Sequence, residues 1–168
     1  EEQAVKISSL VQQCGPRVLS SKEGFQRVAK LQADSGILTI ECVADNNTAL
    51  NQLTMLVAAL EARCKTRLKE KEETQARIIQ TAITRASAAV SDSREGQDLL
   101  QALTPTIAAV EESENGCFAV NQSALEEARA ALRHLEKAIV ACREEEELQI
   151  INSGLQVAGG DVRFADEG

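Results

Sequence analysis

The chain has 168 residues and a mass of 18.1 kDa, with 26 acidic against 18 basic side chains for a formal charge of −8; a globule this long buries roughly 68–70 % of the surface its unfolded chain exposes. Three Phe are its only aromatic residues and Pro occurs twice, whereas 25 Ala and 20 Glu favour long helices over the aromatic and β-branched strands of sandwiches, barrels and doubly wound sheets. An acidic chain with neither a basic stripe nor an aromatic platform is a poor ligand for nucleic acid, and no uncharged apolar run reaches the roughly 18–20 residues that cross a bilayer.

From the N-terminus, Ile7, Val11, Cys14, Val18, Ser21, Phe25 and Val28 alternate steps of four and three, which marks one apolar helical seam. It continues through Gly15-Pro16, so a single helix kinked near Gln12 is predicted. Asp34-Ser35-Gly36 is expected to end it. Residues 37–43 are β-prone but isolated, and a packed connection or a short helical turn is expected there. Residues 46–95 then hold neither Gly nor Pro, which predicts a helix of roughly 75 Å. Its seam runs through Leu53, Val57, Leu60 and Cys64, fades across residues 69–73, and resumes one step out of phase at Ile79, Ile83, Ala86 and Val90. Such a polar middle marks a place where the rod projects or changes partner, with a break into two helices as the alternative. Gly96 should close the rod, Thr104-Pro105 should open a short helix reaching Glu114, and Asn115-Gly116 should stop it. A last helix opens at Asn121 or Ser123, where Ser123 and Glu126 have capping-box spacing. Its seam is Leu125, Ala128, Leu132, Leu135, Ile139 and Cys142, interrupted by Arg143 and the four Glu of 144–147 before Leu148, Ile151 and Gly154.

These stripes predict an all-α fold: an elongated antiparallel helical bundle with one very long helix over about residues 46–95. Residues 1–154 read as a single bundle, and 155–168 as a flexible tail leading to an anchor region outside the chain. Folding the first helix back on the long one about a midpoint near residue 39 sets Cys14 level with Cys64.

Chemistry is sparse. His134 is the single histidine and lies beside the seam rather than on it, which excludes the Glu-x-x-His pairs of di-metal bundles and leaves a Cys or Ser nucleophile without its usual base. Neither a Gly-x-Ser-x-Gly elbow nor a Gly-x-Gly-x-x-Gly phosphate cradle occurs. No catalytic, cofactor-binding or metal-ligating residue is expected, and the carboxylates of 144–147 should fan around a solvated face. Of five cysteines, Cys14, Cys64 and Cys142 sit on seams and Cys42 and Cys117 in connections, without a CxxC pair. An oxidising compartment would allow two disulfides and one leftover thiol, with Cys14 and Cys64 as candidates; a reducing one would leave small apolar residues. The sequons Asn46-Asn47-Thr48 and Asn121-Gln122-Ser123 make Asn46 and Asn121 candidates for glycosylation, and helix N-capping accounts for the same two residues without sugar.

A bundle-forming chain rich in Ala and Glu, nearly free of aromatics, with the rod at 46–95, scattered cysteines, sequons and a Gly-rich exit at 154–168, resembles the surface-coat proteins of trypanosomes. Among these it is most similar to the glutamic acid/alanine-rich proteins of the insect-stage coat, which are related to the core of the variant surface glycoproteins. The resemblance implies a non-enzymatic coat glycoprotein on the extracellular face of a parasite plasma membrane, held only by a C-terminal lipid anchor and forming a dense protective layer. Its partners would be neighbouring copies and, at exposed loops, host or vector molecules or antibodies. The alternative is an intracellular, cytoplasmic helical-bundle interaction or adaptor module with reduced cysteines and a partner helix along an exposed stripe.

Overall fold

Seams of this kind fold as helices that shelter one face each. The computed structural model, which describes residues 1–15, 21–40 and 43–164, is all-α, with no strand among the described residues. The helices are α1 (Glu2–Cys14), α2 (Ser21–Ile40), α3 (Asn47–Ala86), α4 (Ser93–Glu111) and α5 (Gln122–Phe164), with 3-10 turns at Ala44–Asn46 and Ala119–Asn121 leading into α3 and α5. The chain divides into two compact units, Glu1–Lys71 and Glu72–Gly168.

In the first unit, Ile7, Leu10 and Cys14 of α1, Val28, Leu31 and Leu38 of α2, and Leu50, Leu53, Val57, Leu60 and Cys64 of α3 form one apolar cluster. Leu31 and Leu38 are one heptad apart and both buried, so α2 gains by running on through Asp34-Ser35-Gly36, where a stop was expected. Ser35 and Thr39 donate their hydroxyls to the carbonyls of Gln32 and Ser35, and nothing lies within 4 Å of a side chain added at Gly36. Ile37 and Ile40 are therefore the last turn of α2 rather than a connection. The expected continuation of the seam through Pro16 and Val18 falls outside the described residues. Polar ties in this unit include Arg63 Nη2 donating to the Cys14 carbonyl at 3.2 Å, Gln32 Nε2 to Glu61 at 2.9 Å, and Val43 N and Asn46 Nδ2 to Gln3 Oε1 at 3.2 and 3.1 Å.

The second unit has its own core of Ile79, Ala82, Ile83 and Ala86 from α3, Leu103, Ile107 and Val110 from α4, and Leu125, Ala128, Ala131, Leu135 and Ile139 from α5. The two stretches of α3 thus serve different cores, and the division at Lys71 falls inside the polar stretch where the seam fades. Alternating steps of four and three from Leu53, Val57, Leu60 and Cys64 would reach positions 74 and 78, whereas the buried residues are Gln75 and Ile79, so the seam resumes one residue out of phase.

α3 stops at Ala86, short of the predicted Glu95, because a new helix start competes for the chain. Asp92 Oδ1 accepts the Glu95 N–H at 2.7 Å while Glu95 Oε2 accepts Ser91 N–H and O–H at 2.7 and 2.6 Å, a close relative of the reciprocal capping box. Gly96 does not close a rod; it lies buried in the first turn of α4, where an added Cβ would stand 2.5 Å from Ile139 Cγ1. Pro105 likewise opens no helix but sits inside α4. Its ring costs about 3 kcal/mol in a helix interior; burial of Leu103, Ile107 and Val110 on one face, worth about 1.5–3 kcal/mol each, outweighs it. Residues 155–164, expected as tail, are the last turns of α5.

Candidate functional site

Gln75 and Asn121 are the buried polar residues of the described chain, and each bonds the other and backbone. Gln75 Nε2 donates to the Gly116 carbonyl at 2.9 Å, and its Oε1 accepts Phe118 N–H at 2.9 Å and Asn121 Nδ2 at 3.0 Å. Asn121 Nδ2 gives its other hydrogen to the Glu72 carbonyl at 2.9 Å. The amide pair pins the loop between α4 and α5 to α3, and Gly116 turns that loop at φ +63°, a conformation only glycine adopts freely. Of the two glycosylation candidates, Asn121 therefore has both amide hydrogens engaged at a buried site, and a sugar on that nitrogen would have to displace a bond. Asn46 is half-buried and gives one hydrogen to Gln3. Gln75 was missed in the sequence, although a polar residue in phase with Ile79 was the available signal.

Cys14 and Cys64, the disulfide candidates, do share one buried cluster, with Arg63 reaching the Cys14 carbonyl, but both are free thiols. Unbridged in this structure, they pack as small apolar residues of a seam. Cys14 Sγ donates to the Leu10 carbonyl at 3.4 Å, and burial pushes its pKa up against the pull of Arg63. Cys117 and Cys142 are free and half-buried, and burial raises the Cys117 thiol too, against the charge of Arg129. Cys42 lies outside the described residues.

One member of the acidic run has a specific place. Glu146 accepts Ser93 N–H at 2.8 Å and Ser93 O–H at 2.7 Å, so α5 caps the N-terminus of α4. That backbone hydrogen bond, then the hydroxyl one, holds the Glu146 carboxyl below the usual carboxylate range, with Arg143 helping and Asp92 opposing. Glu95 is lowered by its bonds to Ser91. Glu144, Glu145, Glu147 and His134 are exposed. Among the described residues no three metal-ligating side chains cluster, and no helix is long and apolar enough to cross a membrane.

α4 and α5 run antiparallel, pairing Glu111 with Arg129, Gly96 with Ile139 and Ser93 with Glu146. Past Glu146, α4 has ended and α5 goes on. There Leu148, Ile150, Ile151, Leu155 and Val157 are each more than half exposed within ten residues, Ile150 at 72 %. No charged residue occurs from Leu148 to Ala158. Concentrated exposure of this kind marks a contact surface; scattered residues such as Met55 or Val120 do not. An open groove of about 290 Å³ lies between α1 and α2, lined by Lys6, Leu10, Asp34 and Ile37 among others. Compared with known proteins, the chain matches no family model, no curated protein and no solved structure.

Proposed function

We propose that the chain is a non-enzymatic helical protein that acts by presenting surface to other macromolecules. The exposed face of α5 carries this reading: five large apolar side chains, each more than half exposed, on a helix otherwise packed by the same spacing, are costly to leave in water and favourable to bury. Two settings accommodate it. In the one implied by composition and layout, the molecule is a coat glycoprotein packed among its copies on a parasite membrane. In the other it is an intracellular interaction or adaptor module. The buried, doubly engaged amide of Asn121 favours the second, because passage through a glycosylating compartment tends to use sequons.

The intact mass of protein purified from its source, with and without thiol alkylation, reduction and glycan removal, decides between them. Sugar or lipid mass together with bridged cysteines assigns the coat. A bare polypeptide with five alkylatable thiols assigns the intracellular module.

A further inference from the structure

We infer that a second copy of this chain covers the exposed face of α5, the two segments 148–158 pairing antiparallel and crossing at Gly154. The inference rests on the surface-acting reading of α5 and on neither setting. Leu148, Ile151, Leu155 and Ala158 follow steps of three, four and three, and Ile150, Gly154 and Val157 steps of four and three. At about 100° per residue the two rows lie side by side over about half of the helix circumference, with Gln149, Asn152, Ser153 and Gln156 on the other half.

Three observations choose a copy of the same helix as the occupant. The first is charge. A face without charge from Leu148 to Ala158 meets an identical face without like-charge repulsion, whereas a partner chosen by charge would find nothing to read. Antiparallel pairing also keeps the two runs at 144–147 at opposite ends, where parallel pairing would stack eight carboxylates together. The second is Gly154. Mid-helix glycine costs roughly 1 kcal/mol relative to Ala, and among the described residues nothing lies within 4 Å of a side chain placed there. Gly96 shows what such a residue does in this molecule: it admits Ile139 and brings two helices close. Gly154 and Ala158, in the middle of the arc, offer the same close approach to a helix from outside. The third is area. Five apolar side chains at roughly 100 Å² each give about 500 Å² per copy and about 1,000 Å² per pair, the lower bound for a specific interface. An interface at that bound belongs to the weak, transient class, for which micromolar concentrations are the first range to search.

Sedimentation equilibrium from about 1 to about 300 μM brackets that range. The full chain should pass from 18.1 kDa towards twice that mass, and the Ile151→Lys/Leu155→Lys double variant should associate at least tenfold more weakly with unchanged helicity and melting temperature. A wild type that stays monomeric throughout, or a double variant that dimerises as well as wild type, overturns the inference. Binding of a hydrophobic-surface dye to dilute protein separates its failure from that of the surface reading. Monomeric protein whose dye binding falls in the double variant loses only the second copy as occupant. Monomeric protein whose dye binding is the same in both loses the surface reading as well.

Discussion

Residues 125–139 and 148–158 of α5 carry apolar side chains at similar three- and four-residue steps, yet the first stretch buries Leu125, Ala128, Ala131, Leu135 and Ile139, while in the second every residue is exposed. The difference lies in what stands opposite. α4 begins at Ser93, which is met by Glu146, so beyond that contact α5 has no α4 left to pack on. Periodicity in a sequence specifies a face that wants cover; the length of the neighbouring helix decides whether the chain supplies it.

Substitutions at equivalent positions in the two stretches should behave oppositely. Leu135→Ala, in the packed stretch, should cost about 2–5 kcal/mol in denaturant unfolding, whereas Leu155→Ala should change monomer stability by less than about 0.5 kcal/mol. Asn121→Ala, at the start of the packed stretch, should cost about 1–3 kcal/mol, because it removes two donors from a buried site. Gly96→Ala should destabilise by about 1–3 kcal/mol through the clash with Ile139. Gly154→Ala, with open space around it, should instead raise the stability of dilute protein by up to about 1 kcal/mol.

The smallest effect concerns the border between the stretches. The Glu146 carboxyl is held below its ordinary value in the folded state, so its contribution is complete above the ordinary carboxylate range and is lost as pH falls through the folded value. The melting temperature should therefore decline on acidification, and less steeply in Glu146→Gln than in wild type.

Much of the packed stretch was legible beforehand. Leu125, Ala128, Leu135 and Ile139 announce themselves by spacing, and the placing of Cys14 level with Cys64 agrees with their shared cluster. Punctuation was less legible, because Gly and Pro have several uses. Gly36 and Gly96 look like stops, yet the first is tolerated in mid-helix and the second exists for Ile139, 43 residues away. Pro105 looks like a start and is carried inside α4 by the burial around it. The break after Ala86 had a signal in Asp92 and Glu95, a capping pair hidden in a run without Gly or Pro. Asn121 reads as a cap or a sequon, while its amide is used by Gln75, a partner that only the packing of α3 brings near.

Amide hydrogen exchange, followed by mass spectrometry at a dilute and a concentrated protein level, tests the central claim most directly. Protection in 148–158 should grow with concentration while that in 125–139 stays unchanged, as expected for a helix covered inside the chain on one stretch and by a second copy on the other. Equal exchange of 148–158 at both concentrations would contradict it.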